Sequence, residues 1–352
     1  MKSTLFVGAA APEAGPDGKE TCGVYRLASG TSEWRRLSNG LPGNMQVNVI
    51  ERRPNNASEL YAGSQLGLFK SMDGGDSWSD MGVPVDDRSI YSISLHPTDA
   101  NTIYVGMDHT VIFKTTDGGA SWSRLATLQP ASAIPGCFPV RVLRMVIDPS
   151  NPEEVYAALE VGGFIRSLDG GASWEDMSQA FVDLSKQPHL SNHILSDNDA
   201  EGMLDLHALT ISAAQPGVIW IANRLGLFIS DDKGVSWREY GIEHYSELTY
   251  GRDILPSPHD PNVFYAALSD SARGQTGSLY RTSDLGKSWN RIDHDITIES
   301  TLMKVAVNDG DPEQVYCAAR LGQVFGTEDG GATWNAAHLP DGVGDLRAIV
   351  SI

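Results

Sequence analysis

A short box of residues recurs along this chain and constrains its fold more than any other feature. Six copies read SMDGGDSW (71–78), TTDGGASW (115–122), SLDGGASW (167–174), SDDKGVSW (230–237), TSDLGKSW (282–289) and TEDGGATW (327–334), and a degraded seventh reads LASGTSEW (27–34). From Trp34 onward the box tryptophans are 44, 44, 52, 63, 52 and 45 residues apart, which accounts for seven of the eight tryptophans in the chain. Repeats of this length suit propeller blades of about four strands. At 352 residues the chain is long enough for two ordinary domains, so it is the repeat that argues for one domain over 1–352.

The chemistry of the box fits a tight turn. Its Ser/Thr and Asp side chains are suited to bonding backbone amides, its glycine to a positive φ, and its tryptophan to opening the next strand and packing between blades. These residues resemble the BNR or Asp-box family, SxDxGxTW, whose members include sialidases, sortilin-type receptors and the photosystem II assembly propeller. The resemblance spans essentially the whole chain. It implies a fold, while the activities of those relatives differ.

The same frame precedes each box: an alternating strand such as YSISLHP, a turn, a strand such as TIYVG, a short loop and a strand such as VIFKT. Calling these A, B and C, with a D strand after the box, places A strands near residues 46, 88, 141, 205, 250, 302 and 346. The last of them, LRAIVSI, has no B, C or D after it, whereas the first residues offer LFVGA, CGVYRL and EWRRL. The expected fold is therefore an all-β, seven-bladed β-propeller of four-stranded antiparallel blades, its ring closed by the C-terminal strand joining the N-terminal blade.

Composition narrows the partners. Acidic residues number 45 against 26 basic ones, a formal charge of −19, which disfavours nucleic acid and anionic membranes. Cys22, Cys137 and Cys317 are too few and too scattered for a disulfide framework or a CxxC zinc site and read as small buried hydrophobes. No run approaches a membrane span, and the apolar part of MKSTLFVGAAAPEAG is too short for a secretory signal, so a cytoplasmic protein is expected.

In a four-stranded meander the box turn and the A–B turn share one face, while the B–C and D–A loops share the other. Length variation sits in the latter, at 9–22, 124–140, 176–204 and 268–277, which places the expected site there. Strand A supplies Tyr91, Arg141, Arg144, His207, Arg252, Asp253 and Lys304 to that face; B–C turns supply Asp108, His109, Glu160, Arg224, Arg273 and Arg320. Converging guanidinium groups point to an anionic ligand, with Arg144, Arg224, Arg252, Lys304, Arg320 and Tyr91 as its binding set. The competing reading is that they pair with Asp108, Glu160, Asp205 and Asp253 to hold blades together. Glu160, His207 and His109 are the candidate acid–base groups, and His96, His259 and Asp148 read as solvated turn residues on the box face.

The longest insert, FVDLSKQPHLSNHILSDNDAEGMLDLH, reads as a polar loop over the site. No cofactor is favoured. A divalent metal held by His189, His193 and His207 is the alternative, because two histidines four apart can share an ion on a helix face.

Two functions follow. The first is an enzyme, a hydrolase or lyase acting on a small anionic, carboxylate-bearing molecule. The resemblance to sialidases implies an arginine triad that Arg144, Arg252 and Arg320, with Tyr91 or Tyr250, can imitate. The family's amino-terminal arginine motif is absent, since the first strand reads LFVGAAAP, so no sialidase catalytic residue is carried over. The second is a non-catalytic propeller that binds a protein partner, as the resemblance to the photosystem II assembly propeller implies.

Overall fold

The computed structural model describes residues 1–10, 21–125, 128–134 and 138–352. Its strands assort into seven four-stranded sheets, and the chain is a seven-bladed β-propeller with antiparallel blades. Cys137, and parts of the loops expected at 9–22 and 124–140, lie outside the described residues. No helix among the described residues is long and apolar enough to cross a membrane.

The A strands are Val47–Arg52, Ile90–Leu95, Arg141–Ile147, Leu206–Ile211, Tyr250–Pro256, Leu302–Val307 and Leu346–Ser351, at the positions the repeat predicts. The B strands, such as LYAGS (Leu60–Ser64) and IYVGM (Ile103–Met107), are buried along their whole length. Five of the D strands have only two residues, and such short, polar edges discourage pairing with other chains.

By internal contacts the chain forms two compact units, one of Met1–Ile90 with Ser257–Ile352 and one of Tyr91–Pro256. Within the first, Leu346–Ser351 pairs antiparallel with Leu5–Ala9, which continues to Gly23–Leu27 and Trp34–Arg36. The last A strand thus completes the N-terminal sheet, as expected. Asn308 supports this closure from another sheet of the same unit: its amide donates to Ser3 Oγ at 2.9 Å and to Ser351 Oγ at 3.1 Å.

The boxes do what their chemistry predicts. In the first full copy, Ser71 Oγ donates to Asp73 Oδ1 at 2.8 Å and accepts from the Gly75 amide at 2.8 Å, while Asp73 accepts from the Ser77 amide at 2.9 Å. Equivalent bonds recur around Asp117, Asp169, Asp232, Asp284 and Asp329. The bonds from Ser77, Ser173 and Thr333 hold Asp73, Asp169 and Asp329 down at about 2. The degraded copy has Ser29 at the aspartate position, and its hydroxyl bonds the Lys2 carbonyl instead.

In the second unit, Trp237 packs between blades, with ring centroids 5.3 Å from Phe164 and 5.0 Å from Phe181. Gly234 is required beside it: its φ is +85°, and a Cβ there would stand 2.2 Å from Phe164 Cε1. Phe181 lies on a short helix, Gln179–Leu184, and a second helix follows at Glu201–Leu204. The insert expected to be a loop therefore contains helical turns, because burying Phe181 against Trp237 anchors it to the blades.

Candidate functional site

Several A strands carry a register shift near their start. It falls between Val47 and Val49, Val142 and Arg144, Leu206 and Ala208, and Leu302 and Lys304, and it leaves Asn48, Leu143, His207 and Met303 as extra residues. The last A strand skips Arg347 in the same way. A bulge re-aims the side chain it carries, so these positions break the strict alternation of the strand.

In the unit Tyr91–Pro256 the bulge at His207 organises a buried polar network. His207 Nδ1 donates to the Gly251 carbonyl at 2.7 Å, and its Nε2 lies 3.2 Å from Asp205 Oδ2 and 3.3 Å from the Tyr250 hydroxyl. Arg224 Nε donates to Asp205 Oδ2 at 3.2 Å, and its guanidinium lies over the Tyr250 ring at 5.3 Å. Burial works to raise the Asp205 carboxyl, but His207, Arg224 and Arg252 hold it well below its ordinary value. Burial pushes the Tyr250 phenol up, which keeps it protonated and unsuited to act as a nucleophile.

Other candidates in this unit are paired. Arg144 lies 3.5 Å from Asp253, whose side chain is 1% exposed, and Arg141 lies 2.7 Å from Glu160 with its guanidinium stacked on Tyr91 and Phe138. His109 is exposed beside Asp108 at 3.2 Å. Arg252 differs. Among the described residues it forms no ion pair, its Nη1 reaches only the Tyr250 hydroxyl at 3.5 Å, and its buried Nε has no hydrogen-bond partner. Burial works to lower its guanidinium, yet Tyr250, Glu160 and Asp205 hold it above its ordinary value.

Of the acid–base candidates, His207 and Glu160 are engaged within the fold, whereas His109 is exposed. The His207 side chain is only 1% exposed, with both ring nitrogens engaged, and Glu160 neutralises Arg141. His189 pairs with Glu239 at 2.9 Å and His193 with Asp199 at 2.6 Å. These two histidines lie outside both helices of the insert, so they lack the shared helix face that a common metal needs. Among the described residues no group of three or more His, Cys, Asp or Glu side chains is placed to hold a metal. Asp148, expected to be solvated, is buried, and it accepts from the Ser150 amide at 2.8 Å and from the Gly217 amide at 3.3 Å.

In the other unit Lys304 follows the bulge of its strand. The Arg320 amide donates to the Thr301 carbonyl at 2.9 Å, and its buried Nε has no hydrogen-bond partner; Arg273 is exposed. Sequence reasoning missed Arg347, which donates to Asn48 Oδ1 at 2.7 Å and to Asp345 at 2.5 Å, and Asn48, whose amide donates to the Ile90 carbonyl at 3.0 Å. Aligning the A strands by their second residue would have found both.

A family model for the photosynthesis system II assembly factor YCF48 matches residues 29–182. This match, over less than half of the chain, supports a BNR-type β-propeller family. The chain is also 22% identical over 350 residues to a xyloglucanase of Hypocrea jecorina (strain QM6a), covering 89% of the chain and 41% of that protein. The chain thus spans less than half the length of the curated relative it matches. Among solved structures, the GH74 xyloglucanase from Xanthomonas campestris superposes with a TM-score of 0.64 at 17% identity, over 86% of this propeller and 46% of that chain. YCF48 bound to D1 peptide superposes with a TM-score of 0.54 at 16% identity, over 85% and 83%.

Proposed function

We propose that this propeller is a non-catalytic binding module that holds a carboxylate-bearing segment of a protein partner at Arg252. One observation carries the reading: Arg141, Arg144 and Arg224 each have a carboxylate within 3.5 Å, whereas Arg252 has none and its Nε is unpartnered. A guanidinium fork in that state is completed by a carboxylate from outside, in a geometry that a lysine cannot reproduce. The commitment of His207 and Glu160 to internal partners favours binding over proton transfer. The match to an assembly-factor family, and the likeness to a structure with a bound peptide, support a polypeptide rather than a small molecule as the carrier of the carboxylate.

The test is fluorescence polarisation with a short labelled peptide bearing glutamates and a free C-terminal carboxylate, against its Gln-substituted, amidated counterpart. Binding of the acidic peptide alone, lost in Arg252→Ala and weakened in Arg252→Lys, is expected. Equal affinity for both peptides, or an unchanged Arg252→Ala variant, would sink the reading.

The similarity to a xyloglucanase favours a second reading, glycoside hydrolysis. Release of reducing ends from xyloglucan by the purified chain would replace the binding proposal. For a metal-assisted lyase, the decisive observation is a stoichiometric ion in chelator-free protein that is absent from the His193→Ala, His207→Ala double variant.

A further inference from the structure

The long insert is built around one buried carboxylate. Glu201, fully buried, accepts from the amides of Ile194, Leu195 and Ser196 at 2.7 to 3.1 Å and from the Ser196 hydroxyl at 2.9 Å. The Asn192 amide donates to the Asp199 carbonyl at 3.0 Å, the Gly202 amide to the Asn192 carbonyl at 2.9 Å, and Ser191 Oγ to Asp199 Oδ1 at 3.0 Å. Fastened from inside in this way, the segment 191–202 presents a fixed outer surface rather than a loose chain.

That surface forms one wall of an open cleft of about 580 Å³, whose other wall is the helix Gln179–Leu184 and the residues after it. The volume lies in the range of small-molecule sites. Its apolar part comes from Ile134, Val182 and Ala200, and its polar rim from Ser185, Lys186 and the stretch Ser196–Asp199. Spare hydrogen-bonding capacity on the rim is of both kinds. Lys186 uses one of its donors on Asp183 at 2.6 Å, and Asn198 has its carbonyl engaged by the Ala200 amide at 2.9 Å, which leaves its NH₂. The Asp197 carboxylate is exposed and offers acceptors.

We propose that this cleft is a binding site for a neutral polyhydroxylated ligand, the end of an oligosaccharide or a polyol. A hydroxyl donates and accepts at once, so a ligand rich in hydroxyls can use Asp197 together with Asn198 and Lys186, and lay its C–H face on Ile134 and Val182. An ammonium ligand would leave the donors of the rim unused, and a carboxylate ligand would meet Asp197 and Asp199. The site is independent of the arginine network.

Its test is a heteronuclear NMR titration of the whole chain with cellotetraose, a xyloglucan heptasaccharide and myo-inositol. Saturable shifts confined to Ile134 and residues 182–200 are expected, with affinity reduced about tenfold in Asp197→Ala and in Asn198→Ala and unchanged in Arg252→Ala. Asp197 is exposed, so Asp197→Ala keeps the test readable even if Asn198→Ala, which loses the bond to the Ala200 amide, loosens the segment. Saturation by either saccharide identifies a sugar-end site and by inositol alone a polyol site. No saturable shift with any of the three, or shifts that survive both substitutions, would overturn the proposal.

Discussion

Arg347 Nη1 donates to Asn48 Oδ1 at 2.7 Å across 299 residues of sequence, and the Asn48 amide passes on to the Ile90 carbonyl. Two bulge residues thereby tie the last A strand to the first in sequence. Arg347 is 31% exposed, whereas Asn48 is buried, so the two ends of this bond are unequal. Asn48→Ala is expected to cost about 2 kcal/mol and Arg347→Ala about 1 kcal/mol. Urea unfolding checks the order, and a larger loss at Arg347 would show that its ion pair with Asp345 dominates.

Asp205 is expected to be the residue of the His207 network least tolerant of change. Removing a buried carboxylate that faces a guanidinium leaves the cation uncompensated, so Asp205→Ala should cost about 3 kcal/mol. In a double-mutant cycle with Arg224→Ala the two losses should fall short of additivity by about 1 kcal/mol or more. Full additivity would mean that Arg224 does not support Asp205.

The box aspartates predict how stability depends on pH. Asp73, Asp169 and Asp329 stand at about 2 in the folded chain against an ordinary 3.8. A folded value below the unfolded one contributes stability that is complete above about pH 4 and is lost as the pH falls towards about 2. The melting temperature should therefore drop across that window. A triple variant with Asn at the three positions should drop less across it and start lower at pH 7; parallel curves would remove the boxes from the account of acid unfolding.

Two glycines separate backbone strain from steric overlap. Gly30 has φ +74° and open space where a Cβ would stand, so Gly30→Ala should cost about 1 kcal/mol. Gly234 has both a positive φ and Phe164 in the way, and Gly234→Ala should cost about 3 kcal/mol or more. Thermal melts of the pair decide, and equal losses would mean that Phe164 yields freely.

What the sequence revealed was what depends on nearby residues. The boxes, the seven A strands and the completion of the first sheet were all legible, because turn chemistry and strand alternation act over a few positions. The partners were less legible. Arg144 was recognised, but its pairing with Asp253 spans 109 residues, and nothing local shows which charges will neutralise each other. Arg252 was selected along with its paired neighbours, and only the structure separates it from them. Asn48 and Arg347 escaped notice because a bulge interrupts the alternation used to assign faces. Glu201 did so because its partners are backbone amides, which no side-chain pattern records.

The completion of the first sheet has a consequence for synthesis. Leu5–Ala9 leaves the ribosome long before Leu346–Ser351, so one hydrogen-bonding edge of that strand stays open while the other six sheets are translated. Until Leu346–Ser351 is made, this sticky edge is a hazard for pairing with neighbouring polypeptides. A holding chaperone that masks Leu5–Ala9 until Leu346–Ser351 arrives is therefore expected to raise the yield of native protein.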